Sequence, residues 1–212
     1  MSSPWLRISL DDYEGHMALP DVGQAKMLAS AFEDLLKTYA PASAALIGCA
    51  WGNGFKEAVK AGVTRLVGLD INPNYIAYAE ARYTGSIAGL ELYCADIEGN
   101  VPDLRPVDLV YGALVFEYVD VAKALKNLRR ICLPSGILAA LLQLPKEGTA
   151  SVSPSPFVKL KDLGSIMRLV PPDYLRKIAE GLGFGFLSQK LITLESGKQF
   201  SLQLFRLSEA KI

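Results

Sequence analysis

A glycine-rich turn and two acidic strand ends are the groups with the clearest chemical potential in this sequence of 212 residues. The turn occupies residues 48–54 (Gly-Cys-Ala-Trp-Gly-Asn-Gly), directly after a short apolar run. Glycines let a ligand approach the backbone closely, and a turn that opens a helix leaves N–H groups free to bind it. Asp70 ends the next apolar run, where its carboxylate can accept hydrogen bonds from a pair of ribose hydroxyls. The spacing therefore predicts a nucleoside site.

A second acid, Asp96, ends the following apolar run and extends this predicted site. Its carboxylate can accept a hydrogen bond from an adenine amino group. Ile71 and Ile97, each directly after one of the acids, would offer apolar faces to the ring. Taken singly, each group also has a structural explanation, because the turn needs glycine for its shape and either aspartate can cap a helix or a loop. Only their combination favours a ligand.

The same turn can be compared with the dinucleotide-binding fingerprint G-x-G-x-x-G. That pattern would need glycine at positions 50 and 53, where this sequence has Ala50 and Asn53. The sequence also offers no second domain to hold a hydride acceptor. A nicotinamide-dependent oxidoreductase is therefore an alternative that the turn disfavours.

Alternating apolar runs and amphipathic stretches must position these groups. The sequence predicts strands over residues 44–47, 64–69, 90–95, 108–114 and 137–144, and helices over residues 24–39, 55–61, 74–83, 121–131 and 172–182. Strands of continuous apolar residues separated by helices indicate a parallel sheet that is covered on both faces. Two further strands, 184–194 and 199–207, are separated by four turn residues, too few for a parallel crossover. They are therefore predicted to form an antiparallel hairpin.

The remaining segments complete a single predicted domain over residues 1–212. We expect residues 1–22, which are irregular and aromatic, to form an N-terminal lid, and residues 23–145 to form the cofactor-binding core. Residues 146–172 are predicted to be a loop region. Residues 173–212 supply the last helix and the hairpin.

Composition limits the partners and the compartment. The 22 Lys and Arg residues balance 22 Asp and Glu residues, so the molecule has no general attraction to nucleic acid or to an anionic membrane. Residues 1–119 hold 8 basic and 15 acidic groups (−7), and residues 120–212 hold 14 and 7 (+7). Three cysteines and a single histidine argue against a disulfide framework and a Cys/His metal site, and from the sequence we expect neither a leader nor a membrane-spanning run. We expect a cytoplasmic protein whose partner is a small molecule.

The order and spacing of these motifs resemble those of class I S-adenosylmethionine-dependent methyltransferases over roughly residues 11–207. The resemblance is carried by the turn 48–54, the ribose-binding segment 67–72, the adenine-flanking segment 95–97, the fourth strand with its loop 108–119, and the helix and turn 128–136. The Gly-Cys-Ala-x-Gly-Asn-Gly turn further resembles that of a bacterial small-molecule subgroup. Where the family usually has an acid and a middle glycine, this sequence has Leu46 and Ala50. The resemblance implies an α/β fold, a Rossmann-like doubly wound seven-stranded sheet in a three-layer sandwich, mostly parallel with an antiparallel last strand.

The resemblance also implies S-adenosyl-L-methionine as the cofactor and in-line transfer of its methyl group to a small acceptor. The implied cofactor contacts are Tyr13, Gly48, Cys49, Ala50, Gly52, Asp70, Ile71, Asp96, Ile97 and Gly112. His16, the only histidine, is the natural general base near pH 7, and Glu117 follows the fourth strand at the edge where substrates enter. His16 can equally be exposed or bonded to the backbone, and Tyr13 can be a packing anchor. A non-catalytic protein that binds the same cofactor is a further alternative.

Overall fold

Seven strands form one mixed sheet at the centre of this computed structural model, which describes residues 3–19, 22–146, 152 and 156–209. The strands are β1 (Ser43–Ile47), β2 (Arg65–Asp70), β3 (Leu90–Cys94), β4 (Val107–Ala113), β5 (Cys132–Gln143), β6 (Phe184–Thr193) and β7 (Gln199–Leu207). Their order is β3-β2-β1-β4-β5-β7-β6, and β7 is antiparallel to both of its neighbours while the other pairs are parallel. The predicted Rossmann-like sheet with an antiparallel last strand is confirmed.

Helices cover both faces of the sheet. They are α1 (Leu10–Met17), α2 (Gln24–Tyr39), α3 (Phe55–Lys60), α4 (Pro73–Tyr83), α5 (Val121–Ile131), α6 (Lys161–Ile166) and α7 (Pro172–Gly181). Phe32, Phe55 and Ala79 bring α2, α3 and α4 into the core on one face. Leu125 and Leu175 bring α5 and α7 into the core on the other. The layers are therefore helix, sheet and helix, as predicted.

Two helices begin at capping side chains that the sequence places directly before them. Asn72 accepts a hydrogen bond from the N–H of Asn74 at the start of α4, and Asp120 accepts one from the N–H of Lys123 at the start of α5. Such caps satisfy N–H groups that have no partner inside the helix. Because β2 ends at Asp70, two residues before the cap of α4, this local structure also fixes the position of the acid.

The carboxyl ends of β1 and β4 form the point at which the strand order reverses. β2 lies on one side of β1 and β4 on the other, so the connections that leave these strands run in opposite directions. Ligands of open α/β sheets bind in the crevice at such a point. The glycine turn after β1 and Asp70 at the end of β2 both lie there.

The N-terminal segment is more regular than the irregular lid that the sequence predicts. Pro4–Arg7 form a 3₁₀ turn and Leu10–Met17 form α1. Ser9 caps α1 by accepting a hydrogen bond from the N–H of Asp12, and acids in a first turn favour a helix. The local signal covers only eight residues, fewer than an isolated helix needs in water, so packing against the rest of the chain stabilises it.

One strand and one loop also depart from the predicted boundaries by more than one residue. β5 begins at Cys132 rather than at residue 137, because residues 133–136 form an irregular stretch opposite Asp108. The predicted loop region 146–172 contains the 3₁₀ turn Val158–Leu160 and α6 in its described part, whereas residues 147–151 and 153–155 lie outside the described residues. Within the described ranges, no helix combines the length and the apolar character that crossing a membrane requires.

Candidate ligand-binding site

A cavity of about 220 Å³ lies at the point where the strand order reverses. A single water needs on the order of 10–15 Å³ of such space, so the cavity is large enough for an organic ligand. Its strand-edge end is formed by groups that include Gly48, Ala50, Asp70, Ile71, Asp96 and Ile97. Its lid end is formed by groups that include Trp5, Tyr13, His16, Gln143, Leu160 and Met167. The sequence-predicted nucleoside groups therefore border one cavity.

Asp70 is buried at the end of β2, and two backbone N–H groups hold its carboxylate. The N–H of Ala50 donates to Oδ2 at 2.9 Å, and the N–H of Asn72 donates to Oδ1 at 2.8 Å. Burial raises the pKa of this carboxyl, and the N–H bonds oppose that rise. The structural role that the sequence left open for Asp70 is therefore present. An ionised carboxylate has about four acceptor positions, so ligand hydroxyls can still bind it.

The glycine turn adopts backbone conformations that favour small residues. Gly48 has φ +69° and Ala50 has φ +47°, both in the left-handed region. The N–H groups of Gly48 and Cys49 donate to the carbonyl oxygen of Leu69 at 2.8 and 3.1 Å, which ties the turn to β2. A Cβ atom on Gly48 would lie 2.7 Å from Cγ2 of Val115. Glycine is thus required for the contact between this turn and the loop after β4.

Three of the predicted cofactor contacts lie behind the cavity wall. Cys49 is buried in the core on the side of α2. A Cβ on Gly52 would lie 2.4 Å from the ring of Tyr83, and a Cβ on Gly112 would lie 3.1 Å from the ring of Phe116. Packing accounts for the small side chains of Gly52 and Gly112, and Cys49, Gly52 and Gly112 are not among the lining residues.

Leu46 stands where the resembled family usually has an acid. Its side chain is buried, and its Cδ2 atom lies 2.6 Å from the place that a Cβ on Gly54 would take. Phe32 closes the same space from α2 at 3.1 Å. This position is therefore part of the apolar core in this chain.

The residues predicted to flank an adenine ring line the strand-edge end together. Asp96 is exposed, and its Oδ1 atom accepts a hydrogen bond from the N–H of Glu98 at 2.9 Å, which orders the loop after β3. Ile97 is buried and Ile71 is half-buried. A carboxylate and two apolar side chains thus lie along the same edge as Asp70.

Tyr13 projects from α1 into a group of aromatic side chains at the cavity. The centroid of its ring lies 5.7 Å from those of Trp5 and Trp51, and both pairs meet edge to face. Burial raises the pKa of the Tyr13 hydroxyl, and the nearby Asp70 carboxylate raises it further. The hydroxyl is therefore neutral at pH 7. Tyr13 is both a packing anchor and a lining residue.

His16, one turn further along α1, is the cavity's imidazole. It is 6% exposed, and its Nδ1 atom is buried with no hydrogen-bond partner among the described atoms. Burial lowers the pKa of His16, and Lys198 lowers it further. The ring is therefore neutral at pH 7, and a neutral imidazole has one nitrogen that accepts a proton or a hydrogen bond.

Glu117, the other predicted catalytic residue, lies behind the wall and is not among the lining residues. It is 1% exposed, and its Oε1 atom accepts a hydrogen bond from the N–H of Gln143 at 2.7 Å. Its Oε2 atom has no hydrogen-bond partner among the described atoms. Burial raises the pKa of Glu117 to about 7. The side chain therefore fixes the end of β5, where Gln143 borders the cavity.

The sequence did not single out three further lining residues, Trp5, Gln24 and Gln143. Gln143 is the one polar side chain in the apolar run 137–144, so the sequence does carry a signal for it. Trp5 has no such local signal, because its position depends on a contact with a residue 67 positions away.

Comparison with protein families finds one match. Residues 46–140 match a family model described as a methyltransferase domain. The matched segment contains the glycine turn, Asp70 and Asp96, and it extends from β1 into β5. A comparison with curated proteins finds no match.

Solved structures share the fold over most of the chain. The N-methyltransferase NodS from Bradyrhizobium japonicum WM9, in complex with S-adenosyl-L-homocysteine, has a TM-score of 0.67 at 19% identity, covering 95% of this chain and 94% of that one. A putative sarcosine dimethylglycine methyltransferase from Galdieria sulphuraria has a TM-score of 0.64 at 15% identity, with coverages of 88% and 86%. The [4+2]-cyclase SpnF has a TM-score of 0.66 at 11% identity, with coverages of 85% and 81%. At these identities the likeness establishes the fold.

Proposed function

From the premise that residues 46–140 match a methyltransferase-domain model and that the chain has a Rossmann-like sheet, we propose that it is an S-adenosylmethionine-dependent enzyme that methylates a small molecule. One observation carries the proposal: a single cavity is lined by Asp70 and Asp96 at one end and by His16, whose imidazole is neutral at pH 7, at the other. The two acids would bind the cofactor, and the imidazole would take the proton that the acceptor releases.

The strand-edge end fits the nucleoside part of the cofactor. Asp70 is held by backbone N–H groups and retains acceptor positions for the two ribose hydroxyls. Ile71 and Ile97 would lie against the adenine ring, and Asp96 would accept from its amino group. Bound S-adenosylmethionine would supply a methyl group that is already activated on a sulfonium sulfur. The ring of Tyr13 is an electron-rich surface that can stabilise such a cation.

His16 is the residue that would take the proton released by the acceptor. Because burial keeps its imidazole neutral at pH 7, the ring can accept a proton from an O–H or N–H group in the cavity. The protein otherwise has to hold the acceptor in line with the methyl group and exclude water. Such orientation alone can lower a barrier by about 7–11 kcal/mol.

The lid end supports a small acceptor with an apolar body. Leu114, Val115, Val119, Leu160 and Met167 supply apolar surface there. The lining residues with ionisable acids, Asp70, Asp96 and Glu98, belong to the strand-edge end. An acceptor with one O–H or N–H group and an otherwise apolar frame would match this distribution. The resemblance of the glycine turn to a bacterial small-molecule subgroup supports the same size of acceptor.

Calorimetric titration with S-adenosylhomocysteine tests the cofactor half of the proposal. We expect saturable binding with a dissociation constant in the micromolar range or lower. Nicotinamide cofactors should not stabilise the protein against melting. Absence of binding at millimolar S-adenosylhomocysteine would overturn the proposal.

Release of S-adenosylhomocysteine from a panel of small phenols and amines tests the catalytic half. With an acceptor in hand, His16→Gln should lower the rate by about a hundredfold or more while cofactor affinity changes less than threefold. The wild-type rate should fall as the pH drops below the lowered pKa of His16. Cofactor binding with no turnover on any acceptor would instead support the non-catalytic alternative, which is relevant because SpnF, on the same fold, is named a cyclase.

A further inference from the structure

The side chain and the backbone of Asn72 connect the strand edge with the N-terminal lid by hydrogen bonds. The residue is fully buried. Its Oδ1 atom accepts from the N–H of Asn74 at 2.9 Å, which requires the NH₂ group to point the other way. That Nδ2 atom donates to the carbonyl oxygens of Trp5 at 2.9 Å and Ile8 at 3.4 Å. An amide side chain has two donor hydrogens, and both are directed at the lid.

The backbone of Asn72 belongs to the ribose-binding side of the cavity. Its N–H donates to Oδ1 of Asp70, whose Oδ2 accepts from the N–H of Ala50. A continuous series of hydrogen bonds therefore runs from the glycine turn through Asp70 and Asn72 to Trp5. A ligand that binds Asp70 acts on the same carboxylate that orients Asn72.

The lid packs apart from the two main cores, although the ring of Tyr13 also meets those of Trp51 and Tyr75 beside the strand edge. Ile8 of the lid forms a small cluster with Leu160 and Leu163 of the segment around α6, separate from the two cores that flank the sheet. We call this group the lid cluster. Partly buried side chains from the same two segments, such as Trp5 and Phe157, pack against it. A cluster of this size contributes few buried contacts, so we expect it to open more readily than the main cores.

The lid carries the two residues that the proposed function needs above the cofactor. Tyr13 and His16 lie on α1. This helix begins shortly after Trp5 and Ile8, the two residues whose carbonyl oxygens accept hydrogen bonds from Asn72. The pair Arg7–Asp162 also joins the two lid segments, but its N–O distance is 3.9 Å and both side chains are more than 60% exposed. Exposed pairs of this kind stabilise little.

We propose that Asn72 is a positioning residue that latches the N-terminal lid over the bound cofactor and thereby places His16 and Tyr13; this inference rests on the proposed function. Asp70 accepts a hydrogen bond from the backbone N–H of Asn72, and the lid carbonyls accept from its side chain. Asn72 therefore couples the nucleoside site to the lid. Binding at Asp70 and closure of the lid should therefore stabilise each other.

The substitution Asn72→Ser tests the latch without removing the helix cap. A serine oxygen can still cap α4, but the two donors to Trp5 and Ile8 are lost. We expect hydrogen exchange of the amides of residues 10–17 to rise about tenfold, the effect of about one net hydrogen bond. S-adenosylhomocysteine should dissociate about tenfold faster, and exchange in the first turn of α4 should stay within about twofold of the wild type.

Two further variants make the outcome decisive. Arg7→Ala removes another lid contact of the same segment and should leave both measurements within twofold of the wild type. Asn72→Thr keeps a capping oxygen and lacks the NH₂ donors, so it gives the same test if the serine variant does not fold. Wild-type lid exchange, or wild-type dissociation of S-adenosylhomocysteine, in a folded Asn72 variant would overturn the latch. If the wild-type protein bound no S-adenosylhomocysteine, the proposed function would fail, and with it the coupling to the cofactor.

Discussion

The two ends of the cavity are built in different ways. At the strand-edge end, hydrogen bonds of the backbone hold the functional groups: Gly48 and Cys49 are bonded to Leu69, and Asp70 is bonded to Ala50 and Asn72. At the lid end, side chains from α1, α6 and the loop after β4 meet in a small separate cluster. The first end is part of the folded core, whereas the second is an addition to it.

This difference assigns different tasks to the two ends. A rigid edge made by backbone groups suits a ligand whose shape does not change, such as a nucleoside. A lid with its own small cluster can open, close and vary without affecting the core. We therefore expect substitutions at the strand edge to affect folding and cofactor affinity together, and substitutions in the lid to affect catalysis or ligand exchange with little effect on the stability of the core.

The largest expected effect is that of Asp70→Ala, which would test the rigidity of the strand-edge end. The change leaves the buried N–H groups of Ala50 and Asn72 without their acceptor, at about 1–3 kcal/mol each. We expect the free energy of unfolding in urea to fall by about 2–6 kcal/mol and the affinity for S-adenosylhomocysteine to fall at least tenfold.

Asp70→Asn is the matched control, because an amide keeps one acceptor oxygen for one of the two N–H groups. It should give an intermediate loss in both measurements. Normal cofactor affinity in a folded Asp70→Ala protein would remove the ribose assignment and with it the contrast between the two ends.

The second effect concerns the wall behind the lid end, where Glu117 titrates. Its pKa of about 7 in the folded protein lies above the ordinary glutamate pKa of 4.5 that applies when the chain is unfolded. Between these values the folded state holds a proton that the unfolded state has released, so stability present below pH 4.5 is lost as the pH rises to 7. The loss is about 3 kcal/mol at 1.36 kcal/mol per pKa unit.

Glu117→Gln keeps an acceptor for the N–H of Gln143 and removes the titration. Between pH 5 and pH 8, the free energy of unfolding should therefore fall by about 3 kcal/mol less in this variant than in the wild type. Other groups, including Asp70, titrate equally in both proteins, so the difference isolates Glu117. Equal pH dependence in the two proteins would contradict the burial of a titrating carboxyl at this position.

The smallest expected effect is that of Gly15→Ala, which would test whether the lid is independent of the core. A Cβ at this position would lie 2.2 Å from Cζ of Phe157, so the Phe157 ring must move and the packing between the two lid segments loosens. We expect faster hydrogen exchange in α1 and α6, with the global free energy of unfolding changed by less than about 1 kcal/mol, because overpacking confined to the lid cluster does not reach the main cores.

Gly181→Ala in α7 is the matched control, since nothing lies within 4 Å of a Cβ built there. It should gain helix propensity of up to about 1 kcal/mol with no change in lid exchange. A large global loss in Gly15→Ala would show that the lid and the core unfold as one unit, contrary to the comparison made above.

Most of the strand-edge end could be predicted from the sequence because it depends on neighbours in the chain. The helices 24–39 and 121–131 and the strand 199–207 have the predicted boundaries. The cap of α4, the glycine turn and Asp70 lie within 27 residues of one another, and each can be recognised in the sequence from its own residue types. The cofactor-contact roles themselves stay predictions.

The lid end could not be predicted to the same extent because distant segments form it. Trp5 meets Asn72 across 67 positions, and Glu117 meets Gln143 across 26. The sequence placed Glu117 after the fourth strand but could not show that its side chain is buried against the end of β5 and is not among the cavity's lining residues. The same limit applies to Cys49, Gly52 and Gly112, which are not among the lining residues and whose surroundings come from side chains such as Tyr83 and Phe116.

By itself, the sequence determined the order of strands and helices, the antiparallel hairpin, and the edge at which acids and glycines meet. These properties follow from the periodicity of apolar residues and from caps, which act over a few residues. Only the tertiary structure decided that α1 is a helix, that Asn72 holds it by two carbonyls, and that His16 lines the cavity while Glu117 does not. Those properties depend on which distant surfaces pack together, and that packing determines which side chains lose their contact with water.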